Sequence, residues 1–348
     1  MLINKKINVV IIGASGYTGV ELLRLLLSHP DVVIKALVAD SNAGQAIENI
    51  YPHLQFANLP DIVKLSEVDL NQIDVVFCCL PHATSQEVIL QLPKSLKIID
   101  LSADFRLTDE SIYEKWYQNK HIALDIQKEA VYGLSEIYRN QIRNARVVAC
   151  PGCYPTSVSL PLVPLIKNNL IHTDDIIIDS KTGVTGAGRA TKQAFLYSEI
   201  NESVKAYNIS NHRHMPEIEQ TLSDACGKEI TINFTPHLIP MSRGILSTIY
   251  VKLIKSSTVD TIRNSLREFY KNEQFVHVLE NNKLPSTKDV YNTNMCVISA
   301  VEVKNDRVTI ISVIDNLTKG SSGQAVQNMN IMFGIDEAAG LKFNSVFP

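Results

Sequence analysis

The sequence predicts an α/β protein of two domains: a parallel sheet with helical crossovers, then an α+β domain around a mostly antiparallel sheet. Three observations carry this. The chain has 348 residues, against roughly 100–200 for a typical domain. Up to Ala149, short β-rich apolar runs alternate with segments of helical spacing, the pattern of a parallel sheet with crossovers. Beyond Cys153, longer strand-like runs follow one another with few helices between them.

In order, Ile7–Ile12 reads as a buried strand and Tyr17–His29 as a helix, with Val20, Leu23, Leu26 and Leu27 at helical spacing and Pro30 as the stop. Asp31–Val38, Asp74–Leu80, Lys97–Leu101 and Arg146–Ala149 are predicted strands, and Thr84–Leu92 a helix. Tyr113–Ile126 reads equally as helix or irregular chain. A helix-like apolar stretch begins at Thr156 and runs to Ile166 despite Pro161 and Pro164. Ile176–Ser180, Ile230–Pro236, Ile245–Ile254, Cys296–Val303 and Arg307–Ile314 are predicted strands of the second sheet. Glu217–Cys226 and Thr258–Tyr270 are its helices, and Gly323–Phe333 is a late helix. With no repeat, low-complexity tract or Pro/Gly-rich linker, the domains are expected to be tightly joined.

Composition narrows the function classes. A formal charge of −3 gives no reason to expect a nucleic acid or an acidic membrane as partner. No run approaches the ~18 apolar residues of a membrane span. The N-terminal apolar run VVII stops at Gly13, short of the roughly 7–15 residues of a signal peptide's core. The six cysteines are too sparse for a disulfide scaffold, so a reduced cytoplasm is expected, with Cys78 and Cys79 as core residues.

The run VVIIGASGYTGVELLRLLL places Gly13, Gly16 and Gly19 between a strand and a helix. One glycine permits the tight turn, one lets backbone approach a pyrophosphate, and one allows close helix–strand packing. The free N–H groups of the helix N-terminus attract the phosphates. The context is that of a Rossmann-type dinucleotide site; a purely structural turn is the alternative. Asp40, about twenty residues on, would favour NAD by bonding a ribose hydroxyl. Ser41 and Asn42 would equally meet a 2′-phosphate, so the residues alone leave the choice even.

In RVVACPGCYPTSVSLPLVPLI, Cys153 falls between a strand exit and a helix start. N–H groups there stabilise a thiolate, which makes a good covalent catalyst. Cys150 and Cys153 also form a C-x-x-C, readable as a redox pair or half a zinc site, but no second C-x-x-C exists to complete a zinc site. In NHRHMPEIEQ, His212 and His214 precede a predicted helix start at Pro216–Glu217. In an extended segment both would face one side with Arg213 on the other, suited to acid–base work beside an activated cysteine. A surface loop or a zinc pair is the alternative. Between the two, His212 is favoured as the acid–base group because the helix start engages His214. Arg106, Arg189 and Arg243 sit beside small or turn residues and have the geometry for a phosphate or carboxylate, though each alone also reads as a surface residue.

At these residues the chain resembles the N-acetyl-γ-glutamyl-phosphate reductases of arginine biosynthesis, a family of semialdehyde dehydrogenases. The resemblance runs through nearly the whole sequence, in GASGYTG (13–19), DLSADFRL (100–107), VYGLSE (131–136), PGCYPTS (151–157), TGVTGAGR (182–189), NESVKAY (201–207), HRHMPEIEQ (212–220), FTPHLIPMSRGIL (234–246) and DNLTKGSSGQAVQNMNIMFG (315–334). It implies NADPH-dependent reduction of N-acetyl-γ-glutamyl phosphate to the semialdehyde with release of phosphate, through a thioacyl intermediate on Cys153, the HRH segment managing the proton. It implies cofactor contacts from Gly13, Ser15, Gly16, Tyr17, Thr18, Gly19, Ser41, Gly186 and Asn316, and substrate contacts from Arg106, Arg189 and Arg243, with no metal. It further implies a homodimer or homotetramer and a last helix that returns to the nucleotide domain. The expected division is therefore 1–152 completed by 320–348, and 153–319 as the catalytic and oligomerisation domain. Two rivals remain: a reductase of another acyl phosphate, aspartyl or carrier-linked glutamyl, and a non-catalytic NAD(P)-sensing regulator.

Overall fold

In a computed structural model of the chain, the described residues are 6–255, 257–280, 283–302 and 306–346. The chain divides into two units, Met1–Pro151 with Ser321–Lys342, and Gly152–Gly320 with Phe343–Pro348.

The first unit holds seven strands: β1 Ile7–Ile12, β2 Val32–Val38, β3 Ile62–Val63, β4 Val75–Cys78, β5 Lys97–Asp100, β6 Val131–Tyr132 and β7 Val147–Ala149. They lie in the order β3-β2-β1-β4-β5-β7-β6, every pairing parallel. Val9, Val10, Ile11, Val75, Val76 and Phe77 are fully buried, as strands covered on both faces require. The chain moves outward from β1 to β3 and then returns to place β4 on the other side of β1. At such a reversal the carboxyl ends of the strands open a ligand crevice.

The second unit holds β8 Ile177–Thr182, β9 Lys205–Ala206, β10 Asn233–Leu238, β11 Ile245–Lys252, β12 Val276–Val278, β13 Cys296–Glu302 and β14 Arg307–Ile314, in the order β12-β13-β14-β11-β8-β10-β9. Four of its six pairings are antiparallel; β8–β10 and β12–β13 are parallel.

Several elements depart from expectation. The first helix ends at Leu27 rather than His29. Tyr113–Ile126 resolves into parts of two helices, Glu110–Tyr117 and Leu124–Glu129, the former ended by Gln118 at φ 52°. β8 extends past Ser180 to Thr182 because β10 and β11 pair with it to that point. β10 begins at Asn233, not Ile230. β13 ends at Glu302, and the expected end at Val303 lies outside the described residues, as do the domain ends 1 and 348. The helix after β7 starts at Cys153 itself and runs through both prolines to Lys167. Every residue from Tyr154 to Ile166 is buried, and that burial offsets the ~3 kcal/mol each internal proline costs. Pro164 offers no N–H to the Leu160 carbonyl, which instead accepts a hydrogen bond from the Tyr270 hydroxyl.

The domain boundaries also shift. Gly152 belongs with the second unit, and the returning segment is Ser321–Lys342 rather than 320–348. Ser345 donates its hydroxyl to the Lys288 carbonyl in the second unit.

Candidate active site

In the first unit, the glycine loop has the shape that its spacing predicts. Gly13, at φ 82°, comes so close to the chain after β4 that a Cβ there would lie 2.3 Å from the Cys79 carbonyl oxygen. A Cβ on Gly19 would lie 2.6 Å from the Gly13 oxygen. Gly16 is different: among the described residues its Cβ position meets only the Gly13 oxygen, at 3.6 Å, and is otherwise open. Gly16 also caps the helix Tyr17–Leu27, which has no side-chain cap and no acid in its first turn. Open space beside uncapped N–H groups fits a dinucleotide pyrophosphate. Asp40 opens a 3-10 turn, Asp40–Asn42, beyond the end of β2. Asn42 donates its amide to the hydroxyls of Ser15 (3.1 Å) and Ser41 (3.3 Å), gathering the polar groups of both loops. The Tyr51 hydroxyl donates to the Ser15 carbonyl at 2.9 Å.

In the second unit, Cys153 is the first residue of a fifteen-residue helix capped by Gly152. The Gly152 N–H donates to Oε1 of buried Glu217 at 2.7 Å. The His214 ring lies on Gly152, with Nε2 2.4 Å from where a Cβ would be. A Cβ on Gly320 would sit 2.7 Å from the Cys153 Cβ. The cysteine is thus held between two close approaches that only glycine permits.

His212 and His214 do meet, with ring centroids 4.9 Å apart, but not through an extended strand. The Met215 N–H donates to the His212 carbonyl at 2.9 Å and the His214 N–H to His212 Nδ1 at 3.1 Å, so the segment is a turn leading into the helix Met215–Cys226. His212 is ringed edge-on by Tyr154, Tyr207 and Phe234. That burial, with the neighbouring His214, pushes its pKa down to about 3. The Tyr154 and Tyr207 hydroxyls lie 3.0 Å apart, and burial raises both, Tyr207 to about 12.

The arginines separate. Arg106 is almost buried and donates Nε to the Cys150 carbonyl (2.7 Å) and Nη2 to the Leu101 carbonyl (3.1 Å). Arg189 is exposed, just after Gly188 at φ 82°. Arg243 reaches Asp315 Oδ2 at 3.3 Å and also bonds Asn292. Gly186 and Asn316 come together: the Asn316 amide donates to Thr185 Oγ1 at 3.0 Å and its oxygen accepts the Gly244 N–H at 2.7 Å, fastening the two glycine-bearing loops. Cys150 is buried, and that burial pushes its thiol up to about 12, a poor match for a redox partner. Among the described residues no cluster of three His, Cys, Asp or Glu side chains could hold a metal.

Sequence reasoning missed Glu217, Tyr154, Tyr207, Asp315 and Gly320. All five stood inside quoted motifs, but only the fold shows that the Glu217 carboxylate anchors Gly152 and that the Tyr154 ring encloses His212. Asp315 is fully buried and accepts N–H groups from Asn292, Leu317 and Thr318, while its carbonyl accepts the Gly320 N–H.

Comparison with known proteins agrees in both units. Residues 8–145 match the family model described as semialdehyde dehydrogenase, NAD binding domain, and 153–316 the one described as semialdehyde dehydrogenase, dimerisation domain. The chain is 51% identical over 345 residues to a probable chloroplastic N-acetyl-gamma-glutamyl-phosphate reductase of Arabidopsis thaliana, covering 99% of this chain and 86% of that one. It is 48% identical to the N-acetyl-gamma-glutamyl-phosphate reductase of Rhodospirillum rubrum, covering 99% and 100% of the two chains. Among solved structures, aspartate semialdehyde dehydrogenase II of Vibrio cholerae superposes with a TM-score of 0.70 at 14% identity, over 95% of this chain and 99% of that one. The Candida albicans aspartate semialdehyde dehydrogenase with NADP gives 0.69 at 15%, over 94% and 99%. At that identity the structural likeness speaks for the fold.

Proposed function

The chain belongs to the N-acetyl-gamma-glutamyl-phosphate reductase family of semialdehyde dehydrogenases, and from that membership we propose that it reduces N-acetyl-γ-glutamyl phosphate to N-acetylglutamate semialdehyde, releasing phosphate, with NADPH. The observation that carries the chemistry is Cys153 at the first position of a long helix with the His214 ring against the residue before it.

The Cys153 thiolate, favoured by the helix N-terminal N–H groups, attacks the acyl carbon and expels phosphate, leaving a thioester on its sulfur. When bound, the reduced nicotinamide supplies the hydride. His214 holds and returns the proton as the thiohemiacetal collapses to aldehyde. His212, kept neutral by its aromatic surroundings, orients His214 through Nδ1. Arg189, exposed on its glycine-rich loop, is the candidate for the phosphate, and Arg243 for the substrate carboxylate. Arg106 clamps the chain that leads to the cysteine, by way of the Cys150 carbonyl.

For the cofactor, the Ser15–Asn42–Ser41 cluster offers hydroxyls and an amide to a 2′-phosphate, which favours NADPH over the NAD reading of Asp40. The dimerisation-domain match over 153–316 supports a homodimer or homotetramer. None of the six cysteines forms a disulfide, as suits a reducing cytoplasm. No helix among the described residues is long and apolar enough to cross a membrane.

The test is phosphate-dependent nucleotide reduction with N-acetylglutamate semialdehyde, run beside aspartate semialdehyde and with NADP beside NAD. Higher kcat/KM with the first substrate and with NADP is expected. Preference for aspartate semialdehyde would overturn the substrate assignment, and preference for NAD the cofactor assignment.

A further inference from the structure

Between β4 and the helix Ser85–Gln91, the chain makes a turn that nothing in the reaction has yet used. Ala83 in this turn has φ 70°, a left-handed conformation that a residue with a Cβ rarely adopts. Strain of this kind persists only where its surroundings hold it, and it concentrates at functional sites. Here the holder is visible. The Ala83 N–H donates to Oδ1 of Asp104 at 2.7 Å, and the Ser85 N–H to Oδ2 at 3.2 Å. Asp104 is fully buried, and its Oδ1 also accepts the Tyr113 hydroxyl at 2.8 Å. Tyr113 in turn accepts the Gln86 amide at 2.9 Å.

The turn's position gives the strain a purpose. It leaves the carboxyl end of β4, the neighbour of β1 where the strand order reverses. Its root, Cys79, is the residue whose carbonyl crowds Gly13 of the nucleotide loop. Pro81, His82 and Thr84 are exposed, while the carboxylate that shapes them is buried beneath.

We propose that Asp104 is a positioning residue for the nicotinamide dinucleotide: through the Ala83 N–H it fixes residues 80–84 as a wall of the crevice beside the glycine loop. The proposal rests on the cofactor reading above and extends it to a segment with no glycine signature. An amide at 104 has one acceptor oxygen in place of two, so either Ala83 or Ser85 loses its partner.

The test measures the Kd for NADPH, by titrating nucleotide fluorescence, on the full chain and its variants. Asp104→Asn should raise Kd roughly tenfold, while the rate at which iodoacetamide alkylates Cys153 stays the same. Ala83→Gly on top of Asp104→Asn should recover roughly threefold, because glycine takes positive φ without strain; a general loss of packing would not be rescued this way. Ala83→Val keeps Asp104 but resists positive φ, and should weaken NADPH on its own even if Asp104→Asn fails to fold. Gly16→Val fills the open side of the glycine loop and tests the cofactor reading separately. If Gly16→Val weakens NADPH while Asp104→Asn, or failing its folding Ala83→Val, leaves Kd unchanged, the positioning role is overturned. An Asp104→Asn loss with no recovery in the double variant overturns it as well. If Gly16→Val has no effect either, the cofactor reading falls and takes the proposal with it.

Discussion

Replacing each histidine of the HRH segment by asparagine should reverse the order of importance that their sequence positions suggest. His212 has a pKa pushed down to about 3 by burial and by His214. At pH 7 it lies about four units above that value, so protonating it costs about 5 kcal/mol at 1.36 kcal/mol per unit. A well-placed general acid–base contributes about 10²–10⁴-fold, or roughly 3–5 kcal/mol. The protonation cost therefore consumes whatever His212 would supply as an acid. His214, by contrast, lies with its Nε2 against Gly152, at the cysteine's N-terminal side. Expected losses in kcat are about 10²–10⁴-fold for His214→Asn and about tenfold or less for His212→Asn. The assay is steady-state kcat and KM from about pH 5 to 8, the range in which histidine commonly changes charge. His214→Asn should erase one limb of the kcat profile, and His212→Asn should leave both limbs in place. The reasoning is refuted if His212→Asn costs more than about a hundredfold and removes the limb while His214→Asn keeps it.

Three further outcomes follow from the same geometry. Gly320→Ala would put a Cβ 2.7 Å from the Cys153 Cβ, and it should cut kcat by about 10–100-fold through displacement of the sulfur; unchanged kcat would mean that this turn does not set the cysteine. Iodoacetamide below pH 8 should label Cys153 first and abolish activity, since burial raises the thiols of Cys78, Cys79 and Cys150. Peptide mapping that finds another cysteine labelled first, with activity intact, removes Cys153 as nucleophile. Acid stability should also report His212: its folded pKa lies below the ordinary 6.5, so the unfolded chain protonates first, and its stabilising share is full above about pH 6.5 and drains as pH falls towards 3. His212→Phe should flatten the decline of Tm over that window relative to the parent, and an unaltered slope would show that the ring is not desolvated.

What the sequence made legible was whatever depends on neighbours along the chain. The strand Ile7–Ile12, the spaced glycines and the cysteine at a strand exit each announce themselves within about twenty residues. The helix expected from Thr156 starts three residues earlier, at Cys153, and runs through Pro161 and Pro164, because the burial that overrides those two prolines comes from elements far off in sequence. The histidine turn was misread for a related reason. Alternation would also have brought the two rings to one side, so the pattern could not distinguish a strand from a turn closed by the Met215 N–H. Glu217 and Asp315 were invisible as site residues because their work is to bind backbone N–H groups, and a carboxylate's sequence neighbours do not reveal which amide it will meet.

The late helix Gly323–Phe333 shows why long-range polar partners, more than apolar ones, escape a periodicity reading. Gln324, Gln327, Asn328 and Asn330 are all buried, so the helix has no solvent face to mark its inner one. Each amide has a distant partner: Gln324 and Asn328 reach the Gly133 carbonyl at 3.1 and 2.8 Å, Gln327 reaches Glu136 at 3.0 Å, and the Asn330 oxygen meets His29 Nε2 at 2.9 Å. A buried amide without a partner costs about 1–3 kcal/mol, so these four make the return of the helix to the nucleotide unit selective: only a surface presenting those acceptors and donors satisfies it. Asn328 also donates to the Cys150 sulfur at 3.6 Å, on the residue whose carbonyl Arg106 holds. The C-terminal helix thus braces the strand exit from which the chain proceeds to Cys153. Asn328→Leu, with the same side-chain branching but unable to donate, should therefore lower Tm by several degrees and cost more in kcat than Asn330→Leu, which breaks an equally buried pair far along the chain from that exit. Equal losses in kcat from the two would show that the polar helix stabilises the unit without bracing the path to the cysteine.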